Sequence, residues 1–241
     1  LHSTDLNPQK PINWKRMIEV NGEYGCMGDL GPHTLTIPLR AGWRPRNVRA
    51  VLSNIVRERP DGRGSMVPCQ TWDNATLLCE AQDPASGDLF PFNLRIDRIS
   101  PGEKNNWYIE IYGTRASVKY SLRDANALQL LEYEAGGEQA WRRIDLGHEV
   151  TFPSITGDIF QFGVCDAILQ MWAAFLYELD KGQPPARFAG CATPEESVLW
   201  HRLFTAGAST LSAFEARLAH DPMGDRARRR EPKASVLWSC S

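Results

Sequence analysis

Residues 107–121 read Trp107-Tyr108-Ile109-Glu110-Ile111-Tyr112-Gly113-Thr114-Arg115-Ala116-Ser117-Val118-Lys119-Tyr120-Ser121. Side chains alternate across an extended chain, so Trp107, Ile109 and Ile111 point one way and Tyr108, Glu110 and Tyr112 the other. Gly113-Thr114 supplies a turn, and a second strand is expected over Ser117–Ser121. Strands joined by so short a link pair antiparallel, in a sheet packed on one face and partly open on the other. Outward from this pair, strands are expected at Val48–Arg57, Asn74–Ala81, Leu89–Arg98, Leu128–Tyr133 and Trp141–Asp145. Turn signals separate them at Pro60-Asp61-Gly62, Pro84-Ala85-Ser86-Gly87, Pro101-Gly102 and Gly136-Gly137. The succession is a meander rather than a series of βαβ units.

Helical patterns flank the meander. Asp29 reads as an N-cap or first-turn residue of a helix running to about Arg40, with Gly42 as its stop and Pro38 expected to bend or shorten it. A second helix is expected from Asp158 to Asp180, where Phe160, Val164, Ile168, Trp172, Phe175 and Leu179 recur at helical spacing and Gly182 closes the element. Thr193-Pro194-Glu195-Glu196 is a capping box with proline at the first helical position, opening a third helix through about Leu218.

Composition sets outer limits. The 241 residues carry 27 Lys+Arg against 29 Asp+Glu, a net charge of −2. A chain of this length buries roughly 70% of its unfolded surface, so it needs neither disulfide nor metal to hold a core. Near-neutrality removes the basic footprint of a nucleic-acid binder. The most apolar stretch, Ala167–Leu179, is interrupted by Gln170 and Glu178 and falls short of the ~18–20 residues of a membrane span. Neither nucleic acid nor membrane is an expected partner.

Six cysteines (Cys26, Cys69, Cys79, Cys165, Cys191, Cys240) form no C-x-x-C pair and have no histidine at zinc-ligand spacing. They read as free, mostly buried thiols, which suits a cytoplasmic protein. The chain opens on Leu1 rather than Met, with a polar segment to Lys10 that has no leader character. A start inside a longer protein is expected. Residues 221–241, with the run Arg226–Arg230, read as a basic, solvated, disordered tail in preference to a phosphate or acidic-surface contact.

The sharpest constellation is Gly28-Asp29-Leu30-Gly31-Pro32-His33. On a helix, Asp29 and His33 share one face, so a carboxylate and an imidazole can meet or can reach one substrate. An imidazole accepts a hydroxyl proton near neutral pH. Spacing alone also fits a first-turn aspartate beside a surface histidine. Trp14-Lys15-Arg16, just upstream, combines a stacking ring with two hydrogen-bond-rich cations and suits a polyhydroxylated or anionic ligand, or else a surface pair beside a core tryptophan. His201 reads as a packed or interfacial histidine rather than a ligand; His148, His2 and His220 offer less. No third ligand accompanies Asp29 and His33, so no metal is assigned. G-x-G-x-x-G, P-loop and G-x-S-x-G motifs are absent, which leaves kinase and acyl-transfer readings without an anchor.

Taken together, the aromatic-basic segment, the glycine-rich turn, Gly-Asp-x-Gly-x-His at a helix start, the long meander and the closing helices resemble the C-terminal domain of the Gfo/Idh/MocA oxidoreductases. The resemblance covers about residues 10–218 and includes Ile111-Tyr112-Gly113-Thr114. It implies an α+β fold: a large, mostly antiparallel open-faced sheet with helices packed on one face, as a substrate-binding and oligomerisation domain over residues 1–220. It further implies an NAD(P)-dependent enzyme acting on a sugar, glycoside or cyclitol hydroxyl, with homo-oligomers formed through the open sheet face. By the same resemblance His33 takes the hydroxyl proton, Asp29 orients it, and Lys15, Arg16 and Trp14 contact substrate. The Rossmann domain that holds NAD or NADP in such enzymes, with its Glu-Lys-Pro lysine, is not in these residues. Two other readings fit the resemblance: a non-catalytic dimerisation or ligand-binding module, and an NAD-dependent glycoside-cleaving enzyme.

Overall fold

The computed structural model describes residues 5–147, 150–155, 157 and 159–219. His2, His148, His220, Asp158, Cys240 and the tail 221–241 lie outside the described residues. The order of elements is a 3-10 turn (Trp14–Arg16), α1 (Ile18–Asn21), α2 (Cys26–Ala41), β1 (Arg46–Ser53), β2 (Glu58–Pro60), β3 (Met66–Pro68), β4 (Asn74–Gln82), β5 (Leu89–Asp97), β6 (Tyr108–Tyr112), β7 (Ala116–Ser121), β8 (Ala127–Glu132), β9 (Arg142–Asp145), α3 (Val164–Lys181) and α4 (Pro194–Ala219). Every strand pair is antiparallel, and the class is α+β.

The chain forms two compact units. One comprises Pro11–Gly31, Arg44–Arg98 and the chain from Leu199. Its sheet has the order β1-β4-β5, beside the β2-β3 hairpin. In β4, Ala75, Leu77, Cys79 and Ala81 are buried while Thr76, Leu78 and Gln82 face out, the period-two pattern of a half-covered sheet. In β5, Phe92, Leu94 and Ile96 repeat it. Helix α4 lies on this sheet through Gly207, where an added Cβ would sit 3.4 Å from Ala50 and 3.5 Å from Leu77. The Thr210 hydroxyl accepts from Ala50 N–H at 3.3 Å, satisfying a donor on edge strand β1.

The other unit comprises the chain to Lys10, Pro32–Trp43 and Ile99–Val198. It holds a four-stranded meander, β6-β7-β8-β9, in which Glu110 pairs with Lys119 and Lys119 with Gln129. The expected alternation holds at Trp107 and Ile109, half-buried against exposed Tyr108, and is lost at Ile111, which is exposed like Tyr112. Lys119 Nζ lies 4.5 Å from the Trp141 ring and 5.5 Å from the Tyr112 ring, a cation–π ladder on the open face. Helix α3 begins at Gly163, whose N–H donates to Asp166 Oδ2 at 2.9 Å, and ends at left-handed Gly182. Of the expected periodic residues, Val164, Ile168, Trp172, Phe175 and Leu179 lie on the helix and are all exposed, while Phe160 precedes its first residue. Helical spacing thus located the stripe, while nothing in the described residues buries it.

Two sequence expectations need revision. Pro38 does not shorten α2, which runs to Ala41 with both Pro32 and Pro38 inside it. Leu35 and Leu39 are buried, and the terminus is closed by Gly42 N–H to Leu39 O at 3.0 Å and Trp43 N–H to Pro38 O at 2.9 Å, a Schellman arrangement that offsets the proline. The β2-β3 hairpin was not expected: only its turn, Pro60-Asp61-Gly62, was visible, because strands of three residues are too short to show alternation. The capping box of α4 is reciprocal, with Glu196 N–H to Thr193 Oγ1 at 3.2 Å and Thr193 N–H to Glu196 Oε2 at 3.0 Å.

Gly31 is the point where α2 meets α4, since a Cβ there would lie 2.3 Å from the fully buried Phe204 ring. Gly31→Ala is expected to cost about 1–3 kcal/mol by overpacking. Urea unfolding at neutral pH measures it; a loss below about 0.5 kcal/mol would mean the ring moves aside freely.

Candidate functional site

The start of α2 is set from outside the helix. Gly25 has φ +56, and a Cβ on it would lie 2.5 Å from Trp72 N, so a side chain is excluded both by conformation and by backbone approach. Cys26 N–H then donates to Trp72 O at 3.0 Å. The helix therefore begins three residues before Asp29, which falls in its first turn.

Lys15 is delivered to the same place by a clamped 3-10 turn. Asn13 Oδ1 accepts from Lys15 N–H at 3.1 Å, and Lys15 O accepts from the Thr71 hydroxyl at 2.7 Å and from Asn21 Nδ2 at 3.1 Å. Gln70 N–H donates to Arg16 O at 2.8 Å. So held, Lys15 Nζ reaches Asp29 Oδ1 at 3.0 Å and Oδ2 at 2.8 Å, and lies 5.5 Å from the ring centre of half-exposed Trp14. The structure thus brings Lys15, Asp29 and Trp14 together.

Arg16 goes elsewhere, and its expected substrate contact is corrected. Its side chain is 2% exposed and paired with the fully buried Asp73 carboxylate. The cause is Asp73 itself, whose Oδ2 also accepts from Ile55 N–H at 2.8 Å and Val56 N–H at 2.9 Å; a buried carboxylate with two backbone donors requires a cation beside it.

Sequence reading missed Arg98. Its Nη2 donates to Asp29 Oδ2 at 3.4 Å, so Asp29 faces two cations. Arg98 N–H donates to Asp73 O at 2.9 Å, which places the residue just past the end of β5. A signal was available: Phe92, Leu94 and Ile96 are the buried positions of that strand, and Arg98 continues their phase, so a charge falls in an inward register.

His33 stands on α2 one turn beyond Asp29 and is exposed, with its carbonyl accepting from Trp107 Nε1 at 2.8 Å. His201 stacks on Trp200 at 3.9 Å between ring centres and tilts against Tyr24, yet it is exposed rather than packed inside. Among the described residues no three His, Cys, Asp or Glu side chains are grouped to hold a metal. No helix there is long and apolar enough to cross a membrane.

The cysteines nearby are buried structural thiols. Burial pushes the Cys26 thiol up to about 12, although the Arg98 charge opposes it, and the Cys79 thiol up to about 11. Both stay protonated through pH 9, whereas Cys165 is exposed on α3. A native-state thiol titration at pH 8 should label Cys165 at once and Cys26, Cys69 and Cys79 only after unfolding. Rapid native labelling of Cys26 would contradict the burial.

No family model matches the chain, and no curated protein matches it in sequence. Solved structures match it in fold. An oxidoreductase domain protein from Kribbella flavida gives a TM-score of 0.63 at 21% identity, over 87% of this chain and 53% of that one. A levoglucosan dehydrogenase in complex with NADH and levoglucosan gives 0.63 at 17% identity, over 86% and 53%. An inositol dehydrogenase homolog complexed with NAD+ from Azotobacter vinelandii gives 0.57 at 17% identity, over 81% and 50%. The chain spans about half the length of each of these solved chains.

Proposed function

We propose that these residues are the substrate-binding and oligomerisation half of an NAD(P)-dependent oxidoreductase acting on a sugar, glycoside or cyclitol hydroxyl. The observation that carries the reading is α2, which sets Asp29 and His33 one turn apart in a fold shared with dehydrogenases solved with NADH and levoglucosan or with NAD+. In this reading an imidazole nitrogen of His33 accepts the hydroxyl proton while the carbon gives up its hydride. Asp29, steadied by Lys15 and Arg98, accepts a hydrogen bond from a neighbouring hydroxyl, and Trp14 offers an apolar face to the ring. Open-face residues such as Tyr108, Tyr112 and Trp141 supply the oligomer contact.

The cofactor itself does not fit here. All strand pairs are antiparallel and no glycine fingerprint joins a strand to a helix, so the pyrophosphate cradle of a dinucleotide is lacking among the described residues. The proposal assigns NAD or NADP to a part of the protein outside these 241 residues.

The test is the complete reading frame. Sequence upstream of Leu1 should contain G-x-G-x-x-G and Glu-Lys-Pro, and the expressed protein should reduce NAD+ or NADP+ with a member of a sugar and cyclitol panel. A start codon beside Leu1, or no reduction with any panel member, would overturn it.

A further inference from the structure

Positive charge is in excess around Asp29. Lys15 and Arg98 face this one carboxylate, and the first turn of α2 adds the equivalent of roughly half a positive charge. The neighbouring Asp97 does not restore the balance, because Arg95 Nε already holds its Oδ2 at 2.6 Å. The Arg98 side chain is 8% exposed, and its Nη1 is enclosed and donates to no group among the described residues. An enclosed guanidinium nitrogen without an acceptor is costly, and a bound acceptor relieves the cost. The Arg98 main chain is tied through its N–H to Asp73 O, and its enclosed side chain has little room to turn. Lys15 can turn: its side chain is 37% exposed, on a flexible stem. One wall of the cluster is therefore fixed, and the other can swing to admit a ligand.

We propose that Lys15 and Arg98 form an anion subsite, so that the sugar bound by this chain carries a carboxylate or phosphate whose oxygens are met by Lys15 Nζ and Arg98 Nη1. The inference rests on the reading of the chain as a sugar-binding half, and it narrows the substrate class from neutral to acidic sugars. A neutral hydroxyl would leave the excess charge uncompensated, whereas an anionic oxygen gains a charge-assisted bond from each wall. Asp29 keeps the two cations apart and directed when the subsite is empty.

The 241-residue chain is titrated calorimetrically at low ionic strength with D-glucuronate, D-gluconate, glucose 6-phosphate, D-glucose, myo-inositol and inorganic phosphate. At least one acidic sugar should bind tenfold or more tighter than D-glucose, and the advantage should shrink in 0.5 M salt, on the order of a few ångström of Debye length. Glucuronate or gluconate leading identifies the carboxylate; glucose 6-phosphate leading identifies the phosphate. Arg98→Met should bring the ratio of acidic-sugar to D-glucose affinity to within about twofold of one, because one of the two charge-assisted bonds to the anion is gone while Asp29 keeps its bonds to Lys15. Should Arg98→Met fail to fold, as circular dichroism would show, Lys15→Met at the half-exposed wall is read by the same affinity ratio, which should again fall to within about twofold of one. Neutral sugars binding as tightly as acidic ones would overturn the subsite and leave the sugar-binding reading standing. Inorganic phosphate binding with no sugar bound would overturn that reading, and the acidic-sugar inference with it. Silence from every probe overturns both.

Discussion

Replacing His33 by alanine should, on the proposed dehydrogenase reading, lower the turnover of the complete protein by about 10²- to 10⁴-fold, the range for a lost general base. The loss is confined to turnover because the cations that would hold the substrate, Lys15 and Arg98, are anchored independently of the imidazole. The main chain of Lys15 is held by Thr71 and Asn13, and that of Arg98 by Asp73. KM should therefore move by less than about threefold, the pattern of a group used in the transition state. The helix is not at risk, since the tie at this position is the His33 carbonyl to Trp107 Nε1, which alanine keeps. Raising the pH should partly rescue the variant, because hydroxide can then take the proton. Unchanged turnover in His33→Ala would take the residue out of the mechanism.

Arg16→Met should be the most damaging substitution for stability, lowering the unfolding free energy by about 3–5 kcal/mol. Removing the guanidinium leaves the Asp73 carboxylate buried with only the Ile55 and Val56 N–H groups for company. Methionine fills most of the volume, so the loss reports charge rather than cavity. Adding Asp73→Asn should recover a substantial part of it, since an amide oxygen can still accept from both backbone groups while carrying no charge. Urea unfolding of the wild type, the single and the double variant at pH 7 gives the comparison. A single variant within about 1 kcal/mol of wild type would show that water reaches the carboxylate.

Much of this molecule is legible in its sequence, and the boundary of what is legible has physical causes. The meander could be read because each long strand buries one face, so β4 and β5 print a period of two in their side chains. The start of α4 could be read because its cap is local, Thr193 to Glu196. The start of α2 could not, since Gly25 and the Trp72 carbonyl set it from across the chain. Lys15 and Asp29 could be named from their residue types and surroundings, but not their pairing, which joins positions brought near by folding. Arg16 and Lys15 are adjacent and chemically alike. What separates them is the burial of Asp73, and nothing local to the pair records it.

Asp73 does several jobs through one residue: its carboxylate holds Arg16 and two backbone N–H groups, and its carbonyl holds the backbone of Arg98. In a genetic screen these jobs cannot be lost separately. A change at position 73 would strike the folding of the chain and the placement of Arg98 together. It would score beside the ligand-contacting positions while touching no ligand. Substitutions at positions 73 and 98 should then combine less than additively in any phenotype that reads binding, an epistasis that follows from a shared support.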